Sequence, residues 1–119
     1  MSIFIDVLIV FIALLHLYFL YFEMFAWETI GKKTFRSLSP DLFKPTKVLA
    51  ANQGLYNGFL SAGLIWSLLI TNEECSRNVA IFFLVCVLVA GIYGGLTASK
   101  KIFIVQGLPA LIALIMLYF

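Results

Sequence analysis

Four apolar segments separated by three short polar stretches make up nearly the whole chain. The apolar segments cover about residues 2–27, 46–70, 78–97 and 102–119. A helix needs ~20 apolar residues to cross a bilayer, so the first two are ample and the fourth is near the lower limit. The pattern therefore predicts an all-α fold, in which residues 1–119 form one domain built as a bundle of four transmembrane helices.

Composition supports a membrane protein and disfavours several other classes. Of the 119 residues, 63% are hydrophobic and only 12% are charged, whereas globular domains have about 25% charged residues. The few cations are grouped at loops, so no nucleic-acid partner is expected. The N-terminus lacks the positive start of a signal peptide, so we expect a retained helix. Cys75 and Cys86 have no zinc-type spacing, and neither a metal nor a cofactor is expected.

The distribution of charge predicts an orientation in the membrane. Seven of the eight Lys and Arg residues lie in the first and third polar stretches, and only Arg77 lies in the second. By the positive-inside rule, the two basic loops are cytoplasmic and both termini are extracytoplasmic, in a bacterial cytoplasmic membrane. Small multidrug-resistance transporters also have four spans and a carboxylate in the first, but their balanced loop charges differ from this biased chain.

Glu23 is the main candidate functional residue, because it lies inside the first apolar segment. A carboxylate at that depth costs a few kcal/mol and by default marks a functional site. On an ideal helix, His16, Glu23 and Trp27 fall within roughly 40° of one another. One face of the first helix is therefore expected to carry an imidazole, a carboxyl group and an indole.

The second segment opens with polar residues that are unusual in a transmembrane helix, since three carboxamides and a phenol fall between residues 52 and 57. Helical phase places these side chains on one arc, opposite a Gly54-xxx-Gly58 stripe that permits close helix packing. At about 1.5 Å per residue, the polar positions fall in the cytoplasmic half of the membrane. We predict a ligand-binding site formed by Glu23, Trp27, Asn52, Gln53, Tyr56, Asn57, His16 and Gln106.

Two strings of residues carry a resemblance to a known family: Glu23-Met24-Phe25-Ala26-Trp27-Glu28 with Phe35, and Asn52-Gln53-Gly54-Leu55-Tyr56-Asn57-Gly58-Phe59-Leu60. On these strings, the chain resembles the small four-helix bacterial membrane proteins grouped as domain of unknown function 1304. The resemblance covers nearly the whole chain and implies a four-helix membrane bundle, but no substrate or reaction. It marks six motif-bearing residues: Glu23, Trp27, Asn52, Gln53, Tyr56 and Asn57.

Three functions fit these observations. In the first, the protein binds or transports a small polar or amphipathic molecule that enters from the cytoplasm and meets Glu23. In the second, it is a membrane-embedded enzyme acting on a lipid or isoprenoid, with Glu23 as general acid or base and His16 as its proton partner. In the third, it is a non-catalytic membrane subunit whose polar residues form a structural network. Membrane lipids and a second copy of the chain are the expected partners in the membrane.

Overall fold

The computed structural model describes all residues from Met1 to Phe119 and consists of helices joined by short turns, with no β-strand. The all-α prediction is therefore confirmed. The helices are α1 (Ile3–Phe25), α2 (Lys32–Thr34), α3 (Lys47–Leu69), α4 (Glu73–Thr97), α5 (Lys100–Ile102) and α6 (Leu108–Tyr118). Two π-helical turns, Trp27–Gly31 and Phe103–Gly107, and a 3₁₀ turn, Pro40–Leu42, lie between them.

Three helical stretches are long and apolar enough to cross a membrane: Ile3–Phe25, Glu73–Thr97 and Lys100–Tyr118. The third stretch joins α5, the second π turn and α6 into one 19-residue helix. Helix α3 has 23 residues, which at about 1.5 Å per residue would also reach across a bilayer. It is not among the three because the polar residues of its first half lower its hydropathy.

The chain divides into two compact units, the first formed by Met1–Leu14 and Leu60–Phe119 and the second by Leu15–Phe59. The first unit holds an aliphatic core to which α1, α3, α4 and α6 all contribute. Two buried serines tie its helices together: Ser61 Oγ donates to Ala13 O at 2.8 Å, and Ser76 Oγ donates to Ser67 O at 2.6 Å. The fully buried residues of this aliphatic core include Ile9, Ile12, Leu64, Leu84 and Val87.

Helix α4 and the second π turn approach each other closely through their backbones. A Cβ atom placed on Gly91 would lie 2.6 Å from Gly107 N and 2.7 Å from Gly107 Cα. Only residues without side chains permit two helical segments to approach this closely. The spacing of Gly91 and Gly95 predicts a packing face, and Gly95 likewise lies against Phe103 Cβ.

Polar contacts at one end of the first unit cap two helix termini, the start of α4 and the end of α6. Asn72 caps α4 by accepting the backbone N–H of Cys75 at 2.9 Å, so this helix begins at Glu73, five residues before the expected membrane segment. The guanidinium of Arg77 donates to Leu117 O at 2.7 Å and 3.3 Å. A cation at that position also interacts favourably with the C-terminal dipole of α6.

Candidate functional site

The candidate site lies in the second unit, where α1 ends. Helix α1 stops at Phe25, because Ala26 leaves the helical conformation with φ −141° and ψ 31°. The chain then continues through the π turn Trp27–Gly31. Trp27 therefore does not continue the face of α1 that carries His16 and Glu23, which differs from the expectation for an unbroken helix.

The Glu23 carboxyl group is buried and meets two carboxamides of α3. Its side chain is only 3% exposed. Asn57 Nδ2 donates a short hydrogen bond to Glu23 Oε1, at 2.6 Å. The side chain of Gln53 also interacts with the carboxyl group. Three predicted site residues therefore come together.

Glycines on α3 allow this approach. A Cβ atom on Gly54 would lie 2.8 Å from Met24 Cγ and 3.0 Å from Glu23 Cβ, and one on Gly58 would lie 2.6 Å from Leu20 Cδ1. Gly54 is separated from Asn57 by about 60° around the helix, so both can face α1. The sequence pattern predicted the glycine stripe and Asn57 on opposite sides of α3. In the structure they lie side by side.

No positively charged side chain pairs with Glu23. The ion pair of this chain joins the Met1 amino group to Glu73 at 3.9 Å. The chain has no group of three or more His, Cys, Asp or Glu residues that could hold a metal ion. The buried carboxyl group is therefore surrounded by neutral donors, and the chain itself supplies no cation for it.

Trp27 belongs to an aromatic cluster formed by Phe22, Trp27, Phe35 and Phe43. Its ring centroid lies 4.9 Å from that of Phe43 and 5.6 Å from that of Phe35. Its indole N–H donates to Thr46 Oγ1 at 3.0 Å, which fixes the segment after α1 to the start of α3. The indole is thus held by the protein's own side chains.

The remaining predicted residues lie in different environments. His16 is fully buried in α1 and packs edge-on against Phe19, with ring centroids 5.1 Å apart. Asn52 and Tyr56 are exposed on the side of α3 away from Gly54. Gln106 is half-buried in the π turn of the first unit. Their participation in ligand binding remains a prediction.

Neither the aromatic cluster nor the role of Thr46 was predicted from the sequence. A repeated pattern could have drawn attention to the turns that shape both units: an aromatic residue is followed four residues later by glycine in each π turn. A Cβ atom on Gly31 would lie 2.7 Å from the Trp27 ring, and one on Gly107 would lie 2.8 Å from the Phe103 ring. Glycine is required at both positions because the aromatic ring occupies the space of a side chain.

The fold and composition define an all-helical protein with three helices able to cross a membrane. A family model described as "Protein of unknown function (DUF1304)" matches residues 10–118, so the chain belongs to that family, as the resemblance indicated. The chain is also 32% identical over 123 residues to the uncharacterized protein YpaA of Lactococcus lactis subsp. lactis (strain IL1403), with all of both proteins covered. No solved structure matches the chain significantly.

Proposed function

We propose that α3 also crosses the membrane, giving a single domain of four spans in a bacterial cytoplasmic membrane. The length of α3 and the burial of Gly54 against α1 support this proposal. With an even number of spans, both basic loops lie on the cytoplasmic side and both termini lie outside. The contact between the Met1 amino group and Glu73, and that between Arg77 and Leu117 O, are consistent with this arrangement.

We propose further that the protein binds a small amphipathic molecule carrying a positive charge, with Glu23 as its counter-charge. The observation that carries this proposal is the burial of Glu23, within an apolar helix, beside carboxamides and without a cation of the chain. Ionisable groups inside membrane helices are costly and generally pair with another charge or mark a ligand or proton path. A cationic ligand would supply the charge that the protein lacks.

The two carboxamides have a definite role in this function. Asn57 holds one carboxyl oxygen at 2.6 Å and thereby fixes the orientation of Glu23, while Gln53 interacts with the same group. Their carbonyl oxygens are acceptors that can bind polar hydrogens of a ligand. Binding could serve either transport across the membrane or retention of the ligand in it.

A structural role for the same residues is the second candidate. The short bond from Asn57 and the close packing at Gly54 favour it, because both hold α3 against α1. In that case the polar residues pin two helices together and the protein acts as a non-catalytic membrane subunit. The two functions differ in one respect: only the first requires the negative charge of Glu23.

The test compares Glu23→Gln with the wild-type protein in mild detergent by native mass spectrometry. Glutamine can still accept the hydrogen bond from Asn57 but carries no charge. Tetraphenylphosphonium is the cationic probe, and triphenylphosphine oxide is its neutral analogue. The exposed Asp41, changed to Asn, controls for the loss of one negative charge elsewhere in the same unit.

We expect the wild type and Asp41→Asn to bind the cation in preference to the neutral analogue. Loss of a buried charge partner costs about 2 kcal/mol or more, so Glu23→Gln should bind the cation about thirtyfold more weakly. A folded Glu23→Gln protein that binds the cation as the wild type does would refute the proposed function and favour the structural role.

A further inference from the structure

Four exposed side chains form a continuous line along α3, on the side away from α1. Leu49, Asn52, Tyr56 and Phe59 follow one another at intervals of three, four and three residues, and we call them the α3 seam. Leu49 is 70% exposed, Tyr56 63% and Phe59 55%. Alternating intervals of three and four are those of the contact positions between two helices packed as a coiled coil.

The composition of the α3 seam is unsuited to contact with lipid. Asn52 Nδ2 donates to Val48 O of its own helix at 3.1 Å, and the side chain is otherwise exposed. Lipid tails offer no hydrogen-bond partners, so a carboxamide and a phenol facing them lose the bonds that water or protein would provide. The two polar groups lie one turn apart, and apolar side chains flank them at both ends.

We infer that a second copy of this chain covers the α3 seam, forming a parallel homodimer. A carboxamide is both donor and acceptor, so Asn52 can bond with the same residue of a second copy across a twofold axis. Asn side chains bond between membrane helices in this way. The orientation proposed above inserts every copy in the same direction, which makes the parallel arrangement the one available in the membrane.

The dimer leaves the Glu23 site unchanged. Asn52 and Tyr56 point about 160° away from Gly54 around α3, whereas Asn57 and Gly54 face α1. Failure of cation binding at Glu23 would therefore not bear on the dimer, and failure of the dimer would not bear on cation binding. The inference depends on the proposed membrane crossing of α3, not on the ligand.

The test is disulfide cross-linking of purified protein in phospholipid vesicles. Cys75→Ser and Cys86→Ala first remove the native thiols, and single cysteines are then placed at each of the four seam positions. Leu55→Cys is the matched control, because Leu55 is 41% exposed at the same depth but lies outside the seam. A mild oxidant and non-reducing gel electrophoresis report the covalent dimer.

We expect dimers at all four seam positions and not at Leu55. A parallel pair brings identical residues together along its whole length, whereas an antiparallel pair does so only near its centre. Cross-linking as strong at Leu55 as at Asn52 would overturn the inference, as would the absence of dimers at Asn52→Cys and Tyr56→Cys. Dimers confined to one seam position would overturn the parallel arrangement.

A second measurement guards against a variant that fails to fold. Förster energy transfer between labelled copies in vesicles gives the dissociation constant of the dimer, and circular dichroism verifies helicity. Two interhelical bonds of average strength correspond to about an eightfold change, so Asn52→Ala should weaken the dimer by about that factor. An unchanged dissociation constant in a helical Asn52→Ala protein would exclude Asn52 from the interface.

Discussion

Substitution of Gly91 by alanine should destabilise the protein more than any other glycine-to-alanine change in α4. The added methyl group would lie 2.6 Å from Gly107 N and 2.7 Å from Gly107 Cα. These are backbone atoms, so relief requires α4 and the second π turn to move apart. The contacts of the surrounding helices would be lost together with that movement.

The magnitude follows from two opposing terms. Alanine is favoured over glycine within a helix by about 1 kcal/mol, and overpacking costs about 1–3 kcal/mol. With a rigid backbone neighbour the cost at Gly91 lies at the upper end, which leaves a net loss of about 2 kcal/mol. Gly94→Ala is the matched control, since its methyl group would meet Ile102 Cγ2 at 2.7 Å, an atom that a side-chain rotation can move.

The assay is reversible unfolding in mixed micelles, followed by far-ultraviolet circular dichroism as the fraction of denaturing detergent rises. We expect Gly91→Ala to unfold at a clearly lower fraction than the wild type and Gly94→Ala to stay close to it. Equal stability of the two variants would refute the proposed role of the backbone contact.

Four further substitutions test the second unit and the capped end of the first. Asn57→Leu should destabilise the protein by about 1–3 kcal/mol in the same assay, because the buried Glu23 carboxyl group then loses the hydrogen bond from Asn57 Nδ2. Trp27→Phe should cost about 1 kcal/mol by losing the bond to Thr46 Oγ1, and it should cost clearly less in a Thr46→Val background, where that bond is already absent. Arg77→Gln should speed amide hydrogen exchange in the last turn of α6, and unchanged exchange would contradict the capping role.

Periodicity and hydropathy were sufficient to predict the fold class. A chain of this length cannot bury such long apolar stretches away from water, which points to a membrane. Within a membrane a spanning segment must satisfy its own backbone hydrogen bonds, and a helix does so. Charged or turn-forming residues mark the ends of the helices, as Asn72 does for α4. The family membership was also recognisable from the strings around Glu23 and Asn52.

The geometry of the candidate site was less accessible to sequence reasoning. Helical phase puts Asn57 only about 60° from Gly54, but it does not show which edge of the polar arc packs against a neighbour. The contact between Asn57 and Glu23 was therefore not predicted. The break at Ala26 was also unforeseen, because no proline or glycine precedes Trp27 in that stretch. In the π turn after this break, Trp27 contacts Phe43 and Thr46. These residues are distant in sequence, so local pattern does not reveal the contacts.

The most direct test of the central claim is protection of Glu23 from a carboxyl-specific reagent. Dicyclohexylcarbodiimide reacts with carboxyl groups in apolar surroundings, and peptide mass spectrometry can measure its adduct on Glu23. We predict that tetraphenylphosphonium slows this reaction in a saturable manner and that triphenylphosphine oxide does not. Modification of Glu23 at the same rate with and without saturating cation would contradict the claim that Glu23 is the counter-charge of a bound ligand.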